Sequence, residues 1–206
     1  MALAHEKDPY LFTACEYLTF ERAALDRHEW LDGVIYAMAG ESQNHGRICT
    51  NLTSLLHAAL RGTPCEVLSK DMRVLSGPRE GTSRRGLYSY PDLVVVCGEA
   101  RTLDERHDVL INPRVVIEVL SPSTQAFDRS EKGRRYRTWL ASLQEYLLVA
   151  QDRPHIEHWR KQPDGEWLVR NVEGLSFTLV LQSLDDVHMP LVEVYERVVF
   201  PPEPEA

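Results

Sequence analysis

Apolar residues fall into two kinds of pattern along this chain. Between Ser42 and about Arg61 they recur at helical spacing, with Ile48, Leu52, Leu55, Leu56 and Leu60 on one face and Gly62 just beyond the end. The run Arg114–Leu120 is instead apolar on both parities, as expected of a strand covered on both faces. Tyr88–Cys97 and Glu66–Leu75 read as strands as well. Thr13 and Glu16 fit a capping box opening a helix to about Arg27, with Tyr17, Leu18, Ala24 and Leu25 inward. His28–Ala39 reads as a hairpin turning at Asp32-Gly33, a pair suited to type I′ turns.

A second capping box, Asp128 with Glu131, predicts a helix to about Ser142 that buries Tyr136, Trp139, Leu140 and Leu143. Strand Glu145–Ala150 follows, then a hairpin of Arg153–Lys161 and Glu166–Asn171, a strand Phe177–Leu181 and a short helix near Leu191–Arg197. From residue 42 the order is α-β-β-β-α-β, with a helix and hairpin before it and a hairpin after. That order predicts an α/β fold with a mixed sheet and helices on its faces. One domain over 13–200 is expected, with flexible tails at 1–12 and 201–206.

Composition narrows the class. The chain has 206 residues, 43% apolar and 26% charged, enough for a full core. No apolar run approaches the roughly 18 residues that span a bilayer. Residues 1–9 lack the apolar segment of a secretory leader, so a cytoplasmic protein without membrane contact is expected. Cys15, Cys49, Cys65 and Cys97 are scattered, with no Cys-x-x-Cys pair, and read as buried free thiols. The formal net charge of −8 argues against broad non-specific nucleic-acid binding, though one local basic groove stays compatible with it.

The candidate chemistry lies where charge interrupts apolar strands. Glu118 sits in the middle of its strand, and Asp92 leads the apolar run Leu93–Val96. A carboxylate there needs a cation or an ion-pair partner. Lys132 lies four residues before Tyr136, on the apolar side of a helix start, where the macrodipole disfavours a cation. It is either an acid's partner or a lysine whose stem packs while its head reaches water. Arg134, Arg135 and Arg137 flank the same helix as a solvated face or as phosphate contacts. The loop Ser76–Gly86, with Arg79, Arg84 and Arg85, reads as a mobile basic segment.

Pro91-Asp92, the stretch Ile117-Glu118-Val119-Leu120-Ser121-Pro122-Ser123-Thr124, and Asp128 to Lys132 with Tyr136 resemble a family labelled "putative restriction endonuclease" within the PD-(D/E)XK nuclease superfamily. Glu29-Trp30-Leu31-Asp32-Gly33 and His45 extend the resemblance, which runs from about Glu29 to Arg160. It implies a restriction-endonuclease-like core and metal-dependent hydrolysis of DNA phosphodiesters by a homodimeric endonuclease. It also implies Mg²⁺, or Mn²⁺, held by Asp92, Glu118 and Glu29, with Lys132 completing the catalytic set. His45, Arg135 and Tyr136 become candidates for substrate contact. One departure stands out. The superfamily's usual lysine, two residues after the glutamate, is Leu120 here, so Lys132 must come from the following helix. The alternative is a nuclease fold that has lost turnover and binds DNA or a protein partner.

Overall fold

The computed structural model describes residues 2–3 and 11–202. The tails expected at 1–12 and 201–206 lie outside them, apart from 2–3, 11–12 and 201–202. In chain order the elements are β1 (Ala2–Leu3), α1 (Ala14–Glu21), β2 (His28–Leu31), β3 (Val34–Ala37), α2 (Gln43–Ala59), β4 (Cys65–Ser69), β5 (Arg73–Ser76), β6 (Leu87–Ser89), β7 (Leu93–Cys97), β8 (Val109–Leu110) and β9 (Val115–Val119). A broken helix follows: α3 (Gln125–Phe127), a π-turn over Asp128–Lys132, and α4 (Gly133–Trp139). The chain ends with β10 (Glu145–Val149), β11 (His155–Lys161), β12 (Trp167–Glu173), β13 (Thr178–Leu181), β14 (Val187–Pro190) and α5 (Leu191–Val194).

Two mixed sheets and a small hairpin result. The central sheet runs β12-β11-β10-β9-β7-β4, the other runs β1-β3-β2-β6-β5-β8, and β13 pairs with β14. In the central sheet β9 and β10 are parallel and the other pairs antiparallel. Parity sorts its two faces. Leu93, Val95, Val115, Ile117 and Val119 pack on the α2 side with Ile48, Leu52 and Leu56. Val94, Val96, Val116 and Leu120 pack on the α4 side with Tyr136, Leu140 and Leu143. The mixed α/β architecture expected from the sequence is present, and no helix among the described residues is long and apolar enough to cross a membrane.

Several expected elements take another form. The strand read over Glu66–Leu75 is two strands in different sheets, β4 and β5, parted by a turn at Lys70-Asp71. Tyr88–Cys97 likewise divides into β6 and β7, because Pro91 has no N–H to carry a ladder across. The first helix stops at Glu21, which leaves Leu25 fully exposed rather than buried. Asp128 does not cap a helix: its own N–H already donates to the Thr124 carbonyl at 2.9 Å, so the helical run starts earlier. A π-turn follows, and α4 ends at Trp139, which is 49% exposed while Tyr136 and Leu140 are buried. The thiols are also not all free. Cys65 and Cys97 face each other across β4 and β7 and form a disulfide, with Cys15 exposed and Cys49 half-buried.

Candidate active site

On β9, Glu118 shares its parity with Val116 and Leu120 and therefore points at the α4 side. It is 4% exposed there. The Tyr136 hydroxyl donates to its Oε1 at 2.9 Å and also meets Ser89 Oγ at 2.8 Å. The π-turn supplies the counter-charge. Lys132 Nζ lies 3.0 Å from Glu118 Oε1, 3.0 Å from Glu29 Oε1 on β2, and 3.6 Å from Asp128 Oδ1, one helical turn earlier. Three carboxylates from three elements, all but Glu29 with side chains under a tenth exposed, thus meet around one ammonium.

Asp92 is placed by the end of the sheet. The ladder between β7 and β9 closes at Leu93–Ile117. The next donor, the Val119 N–H, has Pro91 across from it and is taken instead by Asp92 Oδ2 at 2.7 Å. The same oxygen lies 3.3 Å from His45 Nε2 in the first turn of α2. The Glu29 oxygen that faces Lys132 also accepts the Tyr90 N–H at 3.2 Å, and the Tyr90 hydroxyl donates to Glu21 at 2.7 Å. Glu29, His45, Asp92, Glu118, Asp128 and Lys132 line one cavity of about 500 Å³.

The site carries an excess of negative charge. Burial, with the Asp128, Asp92 and Glu29 carboxylates adding to it, pushes the Glu118 carboxyl well above the ordinary range, and Lys132 only partly offsets this. Burial raises the Asp128 carboxyl likewise. For Lys132 burial works against the charge, yet Glu118 and Glu29 outweigh it and hold the ammonium well above its usual value. Burial also opposes the imidazolium of His45, and Asp92 and Glu41 turn the balance upward. The donors facing the cavity from Glu29, Asp92 and Glu118 are all hard oxygens, and the surplus charge suits a small divalent cation that keeps part of its water shell.

The other residues singled out from the sequence occupy different surroundings. His45 lines the cavity, with Ser42 capping its helix by accepting the His45 N–H at 3.1 Å. Tyr136 is fully buried beneath Glu118 rather than lining the cavity. Arg135 is 8% exposed and engaged by Asp32 and Glu131, away from the cavity lining. Arg134 pairs with Glu131, and Arg137 stacks 4.0 Å over the Trp159 ring. The loop after β5 is likewise occupied: the carbonyls of Gly81 and Ser83 accept the Cys15 and Ala14 N–H groups at the start of α1. Sequence reasoning missed Asp128, disguised as a cap, and Tyr90, whose position next to Pro91-Asp92 was its one visible signal.

Comparison with known proteins bears on this arrangement. The profile of the Uma2 family, described as "Putative restriction endonuclease", matches residues 14–191. The chain belongs to the Uma2 family. Two Synechocystis sp. proteins are similar to it: "Uncharacterized protein sll1609" is 36% identical over 164 residues, 80% of this chain and 89% of that protein. "Uncharacterized protein slr1290" is 37% identical over 170 residues, 82% and 84% respectively. A solved structure from Anabaena variabilis, titled as a putative nuclease belonging to DUF820, superposes with a TM-score of 0.72. It covers 91% of this chain and 99% of its own at 15% identity, and so speaks for a shared fold. All of the cavity carboxylates and Lys132 fall inside the stretch that the Uma2 profile matches.

Proposed function

We propose that this Uma2 protein is a metal-dependent endonuclease that hydrolyses DNA phosphodiester bonds at the Glu29–Asp92–Glu118–Lys132 site. The observation that carries the reading is the lysine. A side chain from the π-turn stands 3.0 Å from both Glu29 and Glu118, in the cavity that also holds Asp92. Leu120, in the slot where the superfamily usually keeps its lysine, is a packed core residue at 4% exposure. Lys132 thus brings an ammonium to the carboxylates from the helix that covers the same face of the sheet.

Glu29, Asp92 and Glu118 are the residues that would hold Mg²⁺ or Mn²⁺. Such an ion supplies Lewis acidity toward a phosphoryl oxygen and a more acidic bound water. The protein's own part is positioning and charge. The Val119 N–H and His45 fix the Asp92 oxygen, the Tyr90 N–H fixes Glu29, and Tyr136 fixes Glu118. Lys132 stays protonated in this setting, which suits it to orient the attacking water and to stabilise charge building on the phosphorane, not to take a proton. The reading includes a cytoplasmic homodimer, since two-fold DNA sites match two-fold proteins; light scattering tests the dimer.

Supercoiled plasmid incubated with the pure protein and Mg²⁺ or Mn²⁺ tests the whole. Nicking that needs the metal and disappears in Asp92→Ala, Glu118→Ala and Lys132→Ala supports the nuclease. Plasmid left intact by wild type, with metal bound in calorimetry, points to a fold retained for binding alone.

A further inference from the structure

A second donor set adjoins the carboxylate site and differs from it in chemistry. His45 and Cys49 stand four residues apart on α2, so their side chains share a face of the helix. Cys49 Sγ is 3.5 Å from His45 Nδ1, and His45 Nε2 is 3.3 Å from Asp92 Oδ2. One ligand atom from each of the three residues lies within 4.8 Å of the others. A tetrahedral ion with bonds of about 2.0–2.3 Å needs donors roughly 3.5 Å apart, so the three donors draw closer together on binding. Nitrogen, sulfur and one carboxylate oxygen form a borderline-soft set, unlike the oxygen-only set of Glu29, Asp92 and Glu118.

We propose that His45, Cys49 and Asp92 form a capture site for a thiophilic divalent ion of the Zn²⁺ class, and that its occupation inhibits the neighbouring carboxylate site. The ion replaces the thiol proton of Cys49, which leaves to solvent, and no oxidation is involved. His45 gives one ring nitrogen and Asp92 gives the oxygen that otherwise accepts from Val119. Because Asp92 is common to both donor sets, a soft ion held here removes a ligand from the hard one. The inhibition rests on the nuclease reading above; the capture site does not.

Cobalt absorption separates the two. Cys65 and Cys97 are joined, so in the full-length Cys15→Ser chain the sole free thiol is Cys49. Titration of that chain with Co²⁺ is expected to raise a thiolate-to-cobalt band in the near ultraviolet, displaced by Zn²⁺. Adding Cys49→Ser is expected to abolish the band and weaken Zn²⁺ binding by at least about 100-fold, the upper end of what losing a mere outer-shell partner costs. In the plasmid assay with Mg²⁺, micromolar Zn²⁺ should inhibit Cys15→Ser and spare the double variant. No band in Cys15→Ser at saturating Co²⁺ overturns the site, since the exposed Cys15 is no part of the donor set and that chain keeps Cys49. Equal Zn²⁺ affinity with and without Cys49 overturns it too. Zn²⁺ inhibition that ignores Cys49 overturns the competition. A Cys49-dependent band in a protein that cuts no nucleic acid upholds the site and sinks the nuclease reading.

Discussion

Replacing Lys132 by Met keeps the length and much of the apolar stem of the side chain and removes its charge. In the native cavity that charge faces carboxylate oxygens at 3.0, 3.0 and 3.6 Å, with its own side chain 6% exposed. Deleting one partner of a buried ion pair costs roughly 3–5 kcal/mol, because the other partner stays buried without compensation. The carboxyls of Glu118 and Asp128 are already raised by burial and can relax further by taking up protons. That relaxation places the expected loss toward the lower end, about 3 kcal/mol at pH 7.5, and lets it shrink as pH falls. For a protein of this size the full range corresponds to a melting-temperature drop of roughly 6–20 °C. Divalent cation should recover more stability in Lys132→Met than in wild type, since it supplies the missing positive charge. Loss of the charge-stabilising ammonium should lower plasmid nicking by on the order of 10²–10³-fold. Urea denaturation followed by tryptophan fluorescence measures the first quantity, and gel-resolved nicking measures the second. A Lys132→Met protein that melts with wild type and nicks at the wild-type rate refutes both roles. Lost stability with an unchanged rate refutes the catalytic role alone.

Tyr136→Phe removes the hydroxyl shared by Glu118 and Ser89 and should cost about 1.5–3 kcal/mol in urea unfolding, as for a hydrogen bond to a charged group. Gly133→Ala should destabilise the π-turn: a Cβ there would stand 2.9 Å from the Asp128 carbonyl and 2.9 Å from the Tyr146 ring, so loss of nicking should accompany a lower melting temperature. Asp108→Asn probes acid stability. The Arg22 and Arg73 guanidiniums hold the Asp108 carboxyl below its ordinary range, so its contribution is complete above the unfolded value near 4 and is lost as pH falls through the lower folded value. The variant should therefore show a flatter loss of urea midpoint below about pH 4 than wild type does. Arg135→Ala removes the guanidinium that joins Asp32 to Glu131 and should lower stability; a raised KM for DNA with unchanged stability would contradict the ion-pair role.

Much of this architecture was legible because burial and charge conflict openly in the sequence. Glu118 stands out in a strand that is apolar on both parities, and Asp92 leads another such run; the structure places Glu118 within the central sheet and Asp92 just ahead of β7, beside one cavity. The Asp32-Gly33 turn is as expected, with φ of +44° and +93° at its two central residues. Other features depend on information that local pattern does not hold. Asp128 and Glu131 have the spacing of a capping box, but the chain turns earlier, where the Ser121 carbonyl accepts the Gln125 N–H at 2.9 Å. Cys65 and Cys97 become partners only through the register of β4 on β7, which no spacing rule between distant cysteines reveals. The split of Tyr88–Cys97 had a signal in Pro91, overridden by the apolar residues around it.

The position of Lys132 ties these points together. A lysine at position 120 would share a face with Glu118 and point into the layer packed by Tyr136, Leu140 and Leu143. Leu120 fills that layer instead and extends the apolar contact beside Glu118. The ammonium must then enter from the helix that covers the same face. An α-helix begun at Gln125 and continued without interruption would have to choose which of its positions face the sheet. The π-turn over Asp128–Lys132 inserts one residue, so that Asp128 and Lys132 both turn inward before Tyr136 and Leu140 resume the core contact. Leu120, the π-turn and the closely packed Gly133 therefore act as one device. Restoring lysine at position 120 alone should not rescue Lys132→Met: it would bury a second cation's stem among Tyr136 and Leu140 and leave Glu29 and Asp128 without their partner. Recovery of nicking in the Leu120→Lys, Lys132→Met double variant would show that the strand position can serve after all, and that the helix position is a substitute, not a requirement of this core.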